Sequence, residues 1–400
     1  MTPRPPSSPP SCTTPSRPSP MASPQASATP PRWRRDKGVG SEDGPMSNQY
    51  YAFIGTYTTG ASEGIYTYRF DAATGELERL SVIGGISNPS WVEVSPSGRN
   101  LYAVGEESHG VIKAYAIDSD TGALTYLNEQ LTGGEVPCHI SVDATETYVL
   151  LANYGSGSVA MLPIEADGSL APLTGFVQHE GTSIHPVRQL GPHAHSIILD
   201  ATNSLAFSPD LGIDKLLVYD LDLESGTLAP HHVPWVRTPA GAGPRHFDFQ
   251  PNGQFAYLIN ELASSITVLR YFAEQGAFGE VETVSTLPDD FDGESTCADI
   301  HVTPSGKFVY GSNRGHDSIA MFAIDEATGR LTSLGNESTQ GRTPRNFAID
   351  PSGTWLLAAN QDTSTIVTFR INQQTGHLHP TGHITQIPNP VCIKLLPIQS

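Results

Sequence analysis

The sequence predicts an all-β protein, a seven-bladed β-propeller of four-stranded antiparallel blades whose ring is closed by the C-terminal strand joining the N-terminal blade. Three observations lead there. A short glycine turn recurs seven times, each time followed by a strand-like run, at intervals of ~50 residues. A second repeat, a proline or threonine opening an inner strand, runs out of phase with the first. The first glycine turn has no inner anchor before it and the last anchor has no blade after it, so one blade is split between the two ends of the chain.

In chain order the turns read Asp71-Ala-Ala-Thr-Gly-Glu-Leu77, Asp118-Ser-Asp-Thr-Gly-Ala-Leu124, Ala166-Asp-Gly-Ser-Leu170, Leu223-Glu-Ser-Gly-Thr-Leu228, Ala273-Glu-Gln-Gly-Ala-Phe278, Asp325-Glu-Ala-Thr-Gly-Arg-Leu331 and Asn372-Gln-Gln-Thr-Gly-His-Leu378. A glycine behind polar residues supplies the positive φ that a tight hairpin needs. The inner strands are anchored near Pro89, Pro137, Pro192, Pro244, Thr296, Pro344 and Pro390, and several run on into a turn such as Ser95-Pro-Ser-Gly98 or Asp350-Pro-Ser-Gly353. Strands near 51–57, 64–70 and 77–83 begin the split blade, and Pro390-Val-Cys-Ile-Lys-Leu-Leu396 completes it from the inside. Closure of this kind removes the exposed strand edges of an open array.

Residues 1–45 are expected to be a disordered Pro/Ser-rich tail and 46–400 the propeller domain. The tail carries the basic cluster Arg32-Trp-Arg-Arg35 with no apolar segment after it, which argues against a secretory or twin-arginine signal. Translation starting at Met46, plain disorder and a transit-like peptide are its three readings, and the first two are favoured. The net charge is −19, and six of the 22 Lys and Arg but only three of the 41 Asp and Glu lie in the tail, so the propeller is more acidic still. General nucleic-acid binding is therefore not expected. No apolar run is long enough to span a membrane, so a soluble, cytoplasmic protein is expected, a monomer or weak homo-oligomer. Cys12, Cys138, Cys297 and Cys392 show neither CxxC pairing nor zinc spacing, and reduced thiols are expected.

With blade strands lettered A to D from the axis outward, the glycine turns share one face of the ring, and the D–A and B–C connections share the other. The second face gathers the irregular, chemically rich segments: Pro137-Cys-His-Ile-Ser141, Gly191-Pro-His-Ala-His-Ser196, Gly243-Pro-Arg-His-Phe247, Cys297-Ala-Asp-Ile-His301 and Thr343-Pro-Arg-Asn-Phe347, with Asn260-Glu-Leu262 and Ser312-Asn-Arg-Gly-His-Asp317 among the B–C loops. Polar and ionisable groups thus converge on one channel mouth, a candidate site. Arg245 and Arg345 stand at equivalent places in different blades and Arg314 enters from a loop. Together they offer forked donors for a phosphate or carboxylate, although each could instead bond a neighbouring blade. His139, His195 and His246 could take a proton from water or could tether blades. Glu261 is the best carboxylate for a base or for orienting a histidine, its plainer role being a salt bridge to an arginine. His193 with His195, like Asp299 with His301, has a spacing that could hint at a metal, but without further ligands no metal or other cofactor is expected. No Gly-x-Ser-x-Gly elbow occurs.

At these residues the chain resembles the seven-bladed lactonase family, best known for the propeller-type 6-phosphogluconolactonases and similar to fungal carboxymuconate cyclases. The likeness is carried by Arg188-Gln-Leu-Gly-Pro-His-Ala-His-Ser196, Gly241-Ala-Gly-Pro-Arg-His-Phe247, Asn260-Glu-Leu262, Ala298-Asp-Ile-His-Val-Thr-Pro304 and Thr343-Pro-Arg-Asn-Phe347, within a match over about 50–397. It implies hydrolysis of 6-phospho-glucono-1,5-lactone to 6-phosphogluconate in the pentose phosphate pathway, and it points to His139, His195, Arg245, His246, Glu261, Asp299 and Arg345. The expected roles are catalytic for His195, Glu261 and His246, and substrate-binding for Arg245, Arg345, Arg314, His139, Asp299, Asn346 and His193. A lactonase or cyclase acting on a carboxylated muconolactone, and a non-catalytic binding platform, are the alternatives.

Overall fold

The computed structural model describes residues 1–2 and 48–399. The tail expected over 1–45 and the start at Met46 lie outside the described residues, Met1 and Thr2 apart. Seven four-stranded antiparallel sheets follow one another along the chain. The first joins Gln49–Thr56, Ile65–Asp71 and Glu76–Ile83 to the last strand, Pro390–Pro397, which lies innermost and pairs with Gln49–Thr56. Blades two to seven begin at their inner strands Val92–Val94, Pro137–Val142, Ile198–Leu199, Pro244–Phe249, Thr296–Val302 and Pro344–Ile349. The split blade and the ring closure are thus as expected. In the fourth blade the inner strand is short, and only an isolated Ala194–Asp210 bridge continues it toward Pro192. Among the described residues the only helix is a single 3₁₀ turn, Ala273–Gln275, and no helix is long and apolar enough to cross a membrane.

The repeated glycine turns also join the blades. Five of the seven lean on the B strand of the preceding blade, where a tyrosine or tryptophan side chain donates to the turn's backbone. Tyr51 Oη donates to Ser119 O (3.2 Å), Tyr102 Oη to Gly168 O (3.1 Å), Tyr257 Oη to Gly329 O (3.1 Å) and Tyr310 Oη to Gly376 O (2.8 Å). Trp355 Nε1 carries the pattern across the closure to Ala72 O at 2.9 Å. Glycine is needed there on two counts. Gly376 has φ +76°, and a Cβ on it would stand 2.4 Å from Phe308 Cδ1. Between the blades, buried apolar faces pack into continuous clusters, for example Phe207 against Phe247, Phe249 and Tyr271. Each such side chain contributes roughly 1.5–3 kcal/mol. The turn face is thereby committed to holding the ring, which leaves the opposite mouth for chemistry.

Candidate active site

Three backbone devices aim side chains at the mouth. Inner strands Pro137–Val142, Pro244–Phe249 and Pro344–Ile349 each slip register directly after the proline; Pro244 faces Asn260, for instance, whereas His246 faces Ile259. Such a bulge re-aims side chains that strict alternation would send to opposite faces, so Arg245 and His246 both turn inward. The residue before each proline is left-handed, with φ +53° at Val136, +64° at Gly243 and +59° at Thr343. A β-branched residue in that region is strained, and strain of this kind is retained where surrounding contacts over-determine it. Finally, the B–C turns begin at equivalent register positions, Tyr154, Leu211, Glu261, Arg314 and Gln361, and three of these residues, Tyr154, Glu261 and Arg314, belong to the mouth.

At the centre sits Glu261, buried and surrounded by three guanidiniums. Arg188 Nη2 donates to its Oε1 at 2.6 Å, Arg314 Nη2 lies 3.0 Å from Oε2, and Arg245 Nε lies 2.9 Å from Oε2 in an ion pair without hydrogen-bond alignment. Burial alone would push the Glu261 carboxyl up, but Arg314, Arg245 and Arg188 outweigh it and hold it at about 2. Arg245 is pushed down to about 10 by burial and by the neighbouring charges of Arg345 and Arg314. It also donates through Nη1 to Ala298 O, and Arg314 Nη2 donates to Cys297 O at 2.7 Å. Arg345 is different. Its guanidinium lies over the Tyr57 ring at 5.3 Å, with Tyr57 Oη donating to Glu106 at 3.0 Å, and it makes no hydrogen bond to a described residue.

The imidazoles line the same mouth. His195 Nδ1 lies 3.7 Å from Cys138 Sγ, its ring is 5.2 Å from His246 and 5.3 Å from Tyr154, and its Nε2 has no hydrogen-bond partner among the described residues. Burial, then Arg245, His246 and Arg345, push its pKa well below the usual histidine range, so it is neutral at pH 7. His246 Nδ1 bonds Asp299 Oδ1 at 2.8 Å, and its Nε2 lies 3.4 Å from Arg245 Nη1. Burial and Arg245 hold it at about 4 despite Asp299. His193 stacks on Tyr154 at 4.5 Å, and its Nδ1 lies 2.9 Å from Tyr154 O.

Residues 51–395 match the family described as Lactonase, 7-bladed beta-propeller. The chain belongs to this lactonase family. It is accordingly an enzyme, a carboxylic ester hydrolase. The lactonase is 40% identical over 306 residues to the 6-phosphogluconolactonase of Bacillus subtilis, a match covering 75% of this chain and 84% of that protein. It is 35% identical over 311 residues to a 6-phosphogluconolactonase of Formosa agariphila, covering 74% of this chain and 85% of that protein. Among solved structures it is similar to the periplasmic gluconolactonase PpgL of Pseudomonas aeruginosa, with a TM-score of 0.84 and 34% identity over 88% of this chain and 100% of that one.

The fold of the lactonase brings Arg245, Arg314, Glu261, His195 and His193 to one mouth, with Arg345 close enough to influence both Arg245 and His195 electrostatically. His246 lines it as well, and His139, Asp299 and Asn346 border it from the inner strands, the His139 ring 5.5 Å from that of His246 and Asp299 Oδ1 bonded to His246 Nδ1, while each also joins inner strands by hydrogen bonds. Asn346 Nδ2 donates to Asp299 Oδ2 (2.6 Å), Ile393 N donates to Asn346 Oδ1 (2.8 Å), and Ile197 N donates to His139 Nδ1 (3.4 Å). His193 and His195 engage different neighbours through Nδ1, Tyr154 O for the first and Cys138 Sγ for the second. The sequence assigns no site role to Arg188, Tyr154, Tyr57 or Glu106, although Glu106-Glu-Ser-His109 and Asn153-Tyr-Gly-Ser-Gly157 are B–C loops on the mouth's face. Arg188 stands in the longest shared motif, which could have drawn attention to it; the other three lie in strand-end and loop positions without a distinguishing pattern.

Proposed function

We propose that this lactonase hydrolyses 6-phospho-glucono-1,5-lactone to 6-phosphogluconate, the lactone-opening step of the pentose phosphate pathway, in the cytoplasm. The observation that carries this reading is the guanidinium set. Four arginines gather here with Glu261 and Glu106 as their nearest carboxylates, a concentration of positive charge in an acidic chain, and Arg345 makes no hydrogen bond to a described residue, which leaves its forked donors available to an anion. Relatives named 6-phosphogluconolactonase at 35–40% identity support it.

In this reading Arg345 takes the phosphate and Arg245 faces the lactone carbonyl oxygen, where charge grows during attack. Water adds its oxygen to the carbonyl carbon while His195 Nε2 accepts one of its protons. The ring C–O bond then breaks, the proton on His195 passes to the departing ring oxygen, and the second water proton leaves as the new carboxylic acid ionises. A bound phosphate would offset the positive field that lowers the His195 pKa, so the base strengthens once an anionic substrate is in place. Glu261, held at about 2, is a poor proton acceptor and serves to gather Arg188, Arg245 and Arg314. Asp299 fixes the His246 tautomer, while His139 and Asn346 hold inner strands together.

The test is direct. Purified protein should accelerate loss of 6-phospho-glucono-1,5-lactone over its spontaneous opening, and Arg345→Ala should raise KM about tenfold or more for this substrate while changing glucono-1,5-lactone kinetics far less. Absence of turnover ends the proposal, and faster turnover of a muconolactone would move the reading to a carboxylated substrate.

A further inference from the structure

The B–C turns of blades three to seven end on residues with positive φ: Gly157 (+63°), Asp214 (+52°), Ser264 (+47°), Asp317 (+54°) and Ser364 (+55°). Aspartate stands at this place in the two blades that precede the arginine-bearing inner strands. In each, the carboxylate accepts the backbone N–H of the residue just before the Pro-Arg pair. Asp317 Oδ1 accepts Thr343 N at 2.8 Å, ahead of Pro344 and Arg345, and also Gly315 N at 3.1 Å. Asp214 Oδ1 accepts Gly243 N at 2.8 Å, ahead of Pro244 and Arg245, together with Gln189 Nε2 at 2.8 Å, next to Arg188. Its Oδ2 accepts Ser183 Oγ at 2.5 Å and Gly241 N at 2.7 Å, so all four bonds of one buried carboxylate organise the two loops that deliver Arg188 and Arg245.

We propose that Asp317 is the positioning residue for Arg345, and Asp214 the corresponding residue for Arg245 and Arg188, each holding its arginine in place through the backbone of the residue before the proline. The physical need is sharpest at Thr343. Threonine at φ +59° is strained, and relaxing it would rotate the chain that enters Pro344 and carry the Arg345 guanidinium away from the mouth. Proline cannot help, because it has no N–H to anchor the strand start, so the preceding amide is the nearest handle. Gly243 at the matching place in blade five is free of that strain, and there the carboxylate organises loops rather than restraining a bent residue.

The inference rests on the reading of Arg345 as the phosphate holder, and the variants separate the two. Asp317→Gly keeps the left-handed backbone without cost and removes the acceptor, whereas Asp317→Asn tolerates the same φ and keeps one acceptor oxygen. Thr339 stays bonded to the residue 317 carbonyl in both. Steady-state kinetics on phosphorylated and unphosphorylated gluconolactone, with calorimetric binding of 6-phosphogluconate, should show KM and Kd raised about tenfold by Asp317→Gly for the phosphorylated compounds, the scale of one lost charge-assisted hydrogen bond. Asp317→Asn should stay within about threefold of wild type, and Asp317→Gly/Thr343→Gly should recover part of the loss, since glycine at 343 takes up a positive φ without strain although it gives up the Thr343 Oγ1 bond to Asp362. A crystal structure of Asp317→Gly should show the Arg345 guanidinium displaced from the Tyr57 ring. Wild-type protein that neither turns over the lactone nor binds 6-phosphogluconate sinks the functional reading only, and the crystal structure then decides this one. Arg345 unmoved in Asp317→Gly, an Asparagine variant as impaired as the glycine one, or equal KM effects on the unphosphorylated lactone would overturn it.

Discussion

Glu261→Gln separates two roles that the same residue could play. The amide is nearly isosteric, so the change removes charge and little else, leaving Arg188, Arg245 and Arg314 facing one another without their shared counter-ion. Unit charges ~4 Å apart attract by about 4 kcal/mol at an effective dielectric near 20. Desolvation of Glu261 and Arg245 offsets part of that, and Arg188, whose side chain is 35% exposed, adds little. Breaking the cluster should therefore cost about 3–5 kcal/mol, the range for an uncompensated buried charge. In a domain of this size that is a drop of about 4–7 °C in Tm. The assay is thermal unfolding with and without inorganic phosphate or 6-phosphogluconate. The anion should stabilise the variant more than the wild type, because it replaces part of the missing negative charge. A variant that melts within about 1 °C of wild type yet loses 100-fold or more in kcat would refute the reasoning and return Glu261 to the role of general base.

Four further outcomes follow from the same geometry. His195→Gln should lower kcat by about 10²–10⁴ with a much smaller change in KM, and an unchanged kcat would remove His195 from the proton transfer. The pH profile of kcat/KM should be flat through neutrality, because neutral His195 and His246 are already the folded-state forms at pH 7; activity falls only as acid protonates them, with His246 titrating near 4, and a limb at 6.5 would contradict this. Stability follows the same sign. These histidines have folded pKa values below their unfolded ones, so their contribution is present above about 6.5 and is lost as pH falls below it; Glu261 adds a second loss between about 4.5 and 2, readable by urea titrations at each pH. Finally, Gly376→Ala should destabilise by about 2–4 kcal/mol, since it combines a left-handed backbone with a clash on Phe308, whereas Gly382→Ala, equally left-handed but with open space around it, should cost about 1–2 kcal/mol. Equal losses would show that the turns do not latch the blades.

The sequence by itself determined the blade count, the split blade and the face on which the candidate site residues gather. Those follow from local periodicity: turn glycines, strand-opening prolines and the phase between them are written in adjacent residues, and each repeat can bury its apolar face only against a neighbour. Arginine scarcity in an acidic chain made Arg245, Arg314 and Arg345 stand out before any coordinates. What each group touches there was decided only in three dimensions. From its motif Glu261 could be a base, a histidine's orienting partner or a salt-bridge partner of an arginine, and only the fold shows Arg188 and Arg314, 73 and 53 positions away in the chain, reaching it and lowering its pKa. His139 and Asn346 share the strand position of His246, and only the register of the adjoining blades assigns their polar atoms to interstrand bonds. Asp214 and Asp317 look like ordinary turn residues until the next blade's entry is seen bonded to them. A pKa, a hydrogen-bond partner and a strained φ are properties of what surrounds a residue, and in a ring those surroundings come from blades that the chain reaches only after long excursions.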